Sequence, residues 1–347
     1  MPKAPPIIDF GAFYTPDPSR KAELIHQVRD ACREHGFFQI INHRVPSSLC
    51  DSILQQAQEL FSLPLEIKEK YSKDAGKSSR GYERLRSQNF EKRGPGDLKE
   101  GFYFGKHLPA DHPSVLAGHF FQGPNQYPSE VRDPNVFREV IDAYHAAMTE
   151  LAQDILRVLA VMLNLEENWF DAFNEEPVAT LRLLRYPPQT SDASSYERGI
   201  GAHTDFGAIT ILLQDDHGGL QVWDQESSEW ADVVPVKDAL VVNLGNMMMR
   251  WTNDRYLSNL HRVINRSGET RYSVPFFYDG NGAFLVECIP SCLDDGRAKY
   301  PAITVQQILQ GRYADTYGMS PGTKLGEKGN APAMGELLKG AEKAITG

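Results

Sequence analysis

The sequence has little of what would place it in several large classes. Only four of its 347 residues are cysteine (Cys32, Cys50, Cys288 and Cys292), and none stand in C-x-x-C spacing. Neither a disulfide scaffold nor a paired-thiol metal or redox site is expected. Read as reduced thiols, they fit a cytoplasmic setting. There is no apolar run of the length a signal peptide or membrane span needs, and neither end reads as a targeting or lipid-anchor motif. Lys and Arg form no block, and 36 of them against 46 Asp and Glu leave a net charge of −10. Nucleic acid and anionic membrane are therefore not the expected partners, and no protein partner is evident. Glycine and proline do not dominate either, which makes disorder and collagen poor fits.

What is present is ordinary enzyme composition and a change of pattern halfway along. The length exceeds the roughly 250–300 residues at which one core usually stops growing, so additions to a single domain, or two domains, are expected. Pro6 to Phe10 reads as a short strand. Asp17 followed by Pro18 is a helix start, with Leu24, Val28, Ala31 and Cys32 at helical spacing and Gly36 as the stop. A buried strand over 36–43 and a helix over 47–63 follow, the latter ended by Pro64. Lys73 to Gly105 is polar, Gly-rich and punctuated by aromatics, and is expected to be a long loop with a short strand near its end. Ile141, Tyr144, Met148, Leu151, Ile155, Val158 and Met162 alternate spacings of three and four, which predicts a long scaffold helix over about 129–164.

From Val178 the pattern turns to short β-rich segments with Gly218-Gly219 and Asn281-Gly282 as turns. The expected fold is α+β: a double-stranded β-helix, or jelly roll, over 178–290, wrapped by an N-terminal helical and α/β segment over 5–165. A C-terminal helix near 305–313 and a mobile tail complete the 300–347 region.

His203-Thr204-Asp205 is the only H-x-D in the chain. It lies between two strand-like runs, with Gly199, Gly201 and Gly207 allowing sharp turns. His261, in the strand-like Leu260-His261-Arg262-Val263-Ile264, is a suitable third ligand. Two imidazoles and one carboxylate form the facial triad of non-haem Fe(II) oxygenases, with metal positions left open. Ten residues on stands Arg271-Tyr272-Ser273. Residues two apart on a strand share a face, so Arg271 and Ser273 could grip one carboxylate, with the Tyr186 phenol as a further donor. Taken singly, each has a plainer reading as a surface arginine or a core tyrosine.

Together these pieces resemble the isopenicillin N synthase-like family of Fe(II)- and 2-oxoglutarate-dependent dioxygenases. The likeness extends over about Pro5 to Gly318. It includes Pro6-Ile7-Ile8-Asp9-Phe10, the stretch from Glu34 to His43, and Asp97-Leu98-Lys99-Glu100-Gly101-Phe102. His203-Thr204-Asp205, Gly218-Gly219-Leu220-Gln221-Val222, Asn243-Leu244-Gly245, His261-Arg262-Val263 and Arg271-Tyr272-Ser273 follow in the family's order. The resemblance implies Fe(II) on His203, Asp205 and His261, and the distal carboxylate of 2-oxoglutarate on Arg271, Ser273 and Tyr186. It implies that O2 and 2-oxoglutarate are consumed, with succinate and CO2 released as a small-molecule C–H bond is oxidised. In two places the chain departs from common members: Leu184 replaces an Asn found in many plant members, and Gly245-Asn246 replaces Gly-Asp.

Aromatic residues near these motifs are the candidate substrate lining: Phe206, Phe277, and, from the first-half loop, Tyr82 and Phe104. Three rival readings stay open at this level. One is a 2-oxoglutarate-independent oxidase of the isopenicillin N synthase type, and another an ethylene-forming enzyme, which the stretches 182–190 and 198–205 also resemble. The third is a Zn2+ hydrolase or non-catalytic jelly roll using the same ligands, although hydrolysis needs no carboxylate clamp beyond the third ligand.

Overall fold

The computed structural model describes residues 2–76, 78–90, 95–189 and 197–317. In chain order, β1 (Ile7–Asp9) leads into α1 (Pro18–Glu34), β2 (Phe37–Ile41), α2 (Ser47–Ser62) and α3 (Leu65–Glu69). Next come β3 (Gly81–Glu83), β4 (Glu100–Phe104), α4 (Pro113–Leu116) and the long α5 (Pro134–Met162). The strand-rich half holds β5 (Val178–Tyr186), β6 (Ile200–His203), β7 (Ile209–Gln214), β8 (Leu220–Asp224), β9 (Glu229–Asp232) and β10 (Leu240–Leu244). It closes with α6 (Asn246–Trp251), β11 (His261–Val263), β12 (Arg271–Gly280), β13 (Leu285–Val286), β14 (Ile303–Thr304) and α7 (Val305–Tyr317).

The strands form an eight-stranded sheet in the order β1-β2-β10-β7-β12-β5-β4-β3 and a four-stranded sheet in the order β6-β11-β8-β9. Phe37, Leu184, Tyr186 and Val241 of the large sheet share one buried apolar cluster with Ile200, Leu220, Val222 and Val263 of the small one, the packing of a jelly roll. The N-terminal strands are built into the large sheet: β2 pairs with β10, and β4 with β5.

Strand alternation divides the large sheet into two faces. Leu181 and Leu183 of β5, Ile209 and Ile211 of β7, and Val274, Phe276 and Tyr278 of β12 join the main core. There they meet Ile141, Tyr144, Met148, Leu151 and Ile155, the stripe of α5. The alternate residues of the same strands point into the jelly roll. α5 begins at Pro134, later than the expected start near 129, because the Asp133 carboxylate accepts hydrogen bonds from the Asn135 and Val136 amides at 3.1 Å each.

Several expectations need adjustment. The stretch 73–105 contains β3 as well as β4, and ion pairs tie it down. β9 is a four-residue edge strand whose two apolar residues, Trp230 and Ala231, are adjacent and show no alternation. α6 is buried all round, so it lacks the amphipathic period that marks a helix in sequence. α7 runs four residues past its expected end at Tyr313. The tail, expected to be mobile, lies outside the described residues. All four cysteines are free thiols. Among the described residues no helix is long and apolar enough to cross a membrane.

Candidate active site

His203 ends β6 and His261 begins β11, and the two are direct partners in the antiparallel register. Their ring centroids lie 4.2 Å apart. Asp205, on the turn after β6, brings Oδ1 to 3.7 Å from His203 Nε2 and 3.6 Å from His261 Nε2. Each histidine Nδ1 faces a backbone carbonyl, Gly201 O at 2.9 Å and Asn259 O at 3.2 Å. Because a carbonyl only accepts, Nδ1 carries the proton and the Nε2 lone pair is left for a ligand.

The other Asp205 oxygen is occupied. Oδ2 accepts from Thr210 Oγ1 at 2.6 Å and from Asn243 Nδ2 at 2.7 Å, on β7 and β10. α6 buttresses the turn, with the Asn246 amide donating to Asp205 O at 2.9 Å and the Met247 amide to Gly207 O at 3.1 Å. Gly245 permits this approach, since a Cβ there would stand 2.1 Å from Gly207 O. Burial, reinforced by the neighbouring His261, pushes the His203 pKa down to about 3, so its imidazole is neutral. Burial works against ionisation of Asp205, but the histidines and the Thr210 and Asn243 hydrogen bonds outweigh it and hold the pKa below the ordinary value. Two imidazoles and one ionised carboxylate, with convergent atoms and restrained second nitrogens, are a donor set that suits Fe(II).

Arg271 lies at the other end of the same cavity and is wholly buried. Its Nη2 donates to Gln214 Oε1 at 2.9 Å, while Nε and Nη1 have no hydrogen-bond partner among the described residues. The guanidinium sits 4.9 Å from the centroid of the Tyr186 ring, its register partner on β5. Ser273 donates to the Tyr186 hydroxyl at 3.4 Å. Burial raises the Tyr186 pKa, so the phenol stays protonated and able to donate. A buried guanidinium with unsatisfied N–H groups is costly unless an anion completes it. The residues therefore fit a small molecule with a carboxylate at its far end.

The cavity between these groups has a volume of about 130 Å³. Phe206 and Phe277 line it; Tyr82 and Phe104 do not. Alternation along β4 explains the correction for Phe104: it stacks on Phe102 in the main core, while Tyr103 between them faces the cavity. Tyr82 is turned into that core too, its hydroxyl donating to Glu100 at 2.6 Å. Leu184, the apolar departure, lines the cavity beside Ser273, its register partner.

Several contributors were not anticipated as site residues. The Phe90 ring stacks on His203 at 4.4 Å. Arg182 also reaches the cavity wall, its charge held by Glu83 at 2.7 Å, which also takes Lys99 at 3.2 Å. Asp279 lines the far end, where burial and then the Asp205 charge push its pKa up to about 7. Asn243 stood in a recognisable motif, but nothing in its sequence context revealed its bond to Asp205.

Comparison with known proteins agrees with this geometry. Residues 5–130 match the N-terminal family described for a non-haem dioxygenase in morphine synthesis, and residues 177–280 match the 2OG-Fe(II) oxygenase superfamily. The 2-oxoglutarate-Fe(II) type oxidoreductase hxnY of Emericella nidulans is 49% identical over 334 residues, covering 95% of this chain and 96% of the relative. The 2-oxoglutarate-dependent dioxygenase citB of Monascus ruber is 44% identical over 320 residues, with coverages of 90% and 96%. The crystal structure of a full-length Neurospora crassa protein in complex with alpha-KG superposes with a TM-score of 0.79 at 28% identity, covering 89% of this chain and 95% of that one. The same Neurospora protein solved with alpha-KG and thymine gives 0.78 at 27% identity, with coverages of 90% and 96%. The chain belongs to the 2OG-Fe(II) oxygenase superfamily and is a 2-oxoglutarate-dependent non-haem iron dioxygenase, using Fe(II), 2-oxoglutarate and O2.

Proposed function

We propose that this chain oxidises a C–H bond of a small molecule at a site in which His203, Asp205 and His261 hold Fe(II), and Arg271, Ser273 and Tyr186 hold the distal carboxylate of 2-oxoglutarate. Phe206 and Phe277 form the substrate end. The observation that carries this assignment is the pairing, within one cavity, of a convergent His/Asp/His group with a buried arginine whose Nε and Nη1 lack a partner among the described residues. Bound iron would activate O2, the oxidant, and 2-oxoglutarate would supply two of the four electrons that O2 takes, leaving as succinate and CO2.

The protein's share is positioning and exclusion of water. The Gly201 and Asn259 carbonyls keep each imidazole in the liganding tautomer. Thr210 and Asn243 orient one oxygen of Asp205 so that the other faces the histidines. Arg271 fixes the far end of the cosubstrate and hence its reach. The apolar walls keep water away from the reacting carbon. The Neurospora complex, which holds alpha-KG together with thymine, supports a small-molecule substrate. The segments 5–165 and 178–290 act in this reading as one unit, because the first contributes strands to the large sheet. The free thiols support a reducing, cytoplasmic setting.

The test is succinate formation from 2-oxoglutarate with Fe(II) and with Zn2+, in the wild type and in His203→Ala and Arg271→Ala. Turnover with Fe(II) alone, lost in both variants, is the expected result. Turnover that survives either substitution would overturn the residue assignment.

A further inference from the structure

The inward-facing residues of β12 form a line along the cavity: Arg271, Ser273, Pro275, Phe277 and Asp279. Arg271 and Ser273 belong to the carboxylate clamp. Phe277 is the register partner of Thr210, whose hydroxyl holds Asp205, so the His/Asp/His group stands level with Phe277. Asp279 lies beyond that level, at the opposite end from Arg271.

Its surroundings do not explain it as a structural residue. Asp279 is only 6% exposed and faces the cavity, whose lining also includes Phe206, Phe277 and Leu309. No N–H or O–H of the described residues donates to its carboxyl group. The neighbouring backbone nevertheless makes room for it, because a Cβ on Gly207 would stand 1.8 Å from Asp279 Oδ1. A carboxyl that faces the cavity with no protein donor has to be satisfied from within the cavity, by water or by a ligand. A ligand that brings the missing donor removes the anomaly.

We propose that Asp279 selects the substrate, accepting an N–H or O–H from a single-ring aromatic or heteroaromatic molecule that rests against Phe206 and Phe277. This deepens the proposed function and rests on its assignment of the two cavity ends. The aromatic walls favour a flat ligand. The cavity of about 130 Å³ has to hold the cosubstrate as well, so the room at the Asp279 end favours a small ligand. An acceptor fixed at one end orients the ring, and with it the carbon presented towards the metal group. A site built around a hydrogen bond also discriminates strongly against analogues that lack the donor, because the buried acceptor is then left unpaired.

The test uses matched probes, bound without O2 to the enzyme loaded with Fe(II) and 2-oxoglutarate and measured by calorimetry. The pairs are 4-methylphenol and 4-methylanisole, 5-methyl-2-pyridone and 1,5-dimethyl-2-pyridone, and thymine and 1,3-dimethylthymine. In at least one pair the free-donor member should bind the wild type about 10-fold or more tighter than its methylated partner. Asp279→Leu should erase that preference, and Asp279→Asn, which keeps an acceptor oxygen, should retain most of it. Thermal unfolding of the ligand-free protein gives a second reading, in which Asp279→Leu should be at least as stable as the wild type. Three results overturn the proposal: no pair with a preference in the wild type, a preference that survives in Asp279→Leu, or a clear loss of stability in that variant. Succinate release by the wild type, measured separately, reports on the iron and 2-oxoglutarate assignment, so failure there is distinguishable from failure at Asp279.

Discussion

The Thr210 hydroxyl donates to Asp205 Oδ2 at 2.6 Å, joining a β7 side chain of the large sheet to a carboxylate on the turn that follows β6 of the small sheet. The bond holds the carboxylate so that Oδ1, not Oδ2, meets the histidines. Partners of this kind commonly tune metal affinity by 10- to 100-fold. Thr210→Val removes the donor and keeps the shape. Fe(II) binding, titrated without O2, should weaken about 10-fold or more in that variant while global stability changes little. Unchanged affinity would mean that Asn243 alone orients the carboxylate.

Arg271 presents a planar fork to the clamp, and lysine cannot reproduce it. Arg271→Lys keeps the charge but loses the bidentate geometry. The dissociation constant for 2-oxoglutarate should rise about 10- to 100-fold, the equivalent of one hydrogen bond to a charged group. Calorimetric titration reads this directly, and Fe(II) affinity without the cosubstrate should not follow it.

Glu83 carries the charge balance beneath the cavity wall, where Lys99 and Arg182 both pair with its Oε2 and the three side chains are almost wholly buried. Removing one member of such a group leaves uncompensated buried charge, which typically costs about 3–5 kcal/mol. Glu83→Ala should therefore lower the denaturant midpoint strongly. Glu83→Gln, which keeps an acceptor, should fall between that variant and the wild type.

Burial lowers the His145 pKa to about 4, and its Nε2 faces Ala179 O at 3.1 Å, so the imidazole is neutral and donates there. In the unfolded chain the same group titrates near 6.5. Between these values the unfolded state binds more protons, so stability rises with pH across this window. The contribution is complete above about pH 6.5, declines as pH falls and is gone below about 4. It amounts to something on the order of 3 kcal/mol. The stability difference between the wild type and His145→Gln, followed by denaturant unfolding across that window, should shrink as the pH is lowered. A difference that does not vary with pH would contradict the assignment.

Much of this protein was legible in its sequence because the signals are local. The alternating spacings of α5, the Asp17-Pro18 start of α1 and the bounds of β5 follow from periodicity and capping, which need no distant partner. His203-Thr204-Asp205, His261 and Arg271-Tyr272-Ser273 could be singled out because their residue types and order carry chemistry by themselves. Other features were decided by the tertiary structure. β9 and α6 take their form from neighbours: one pairs along β8, and the other is buried all round behind the Asp205 turn. Which aromatic faces the cavity depends on the phase of a strand within a sheet, so Tyr103 lines it while Phe104 joins the core. The isolation of the Asp279 carboxyl and the incomplete hydrogen bonding of Arg271 exist only once strands distant in sequence close around them. Sequence order determined the kind of chemistry, since metal ligands and anion clamps are defined by residue type. Packing decided which groups were left without partners, because satisfaction of a buried polar atom is a property of its surroundings.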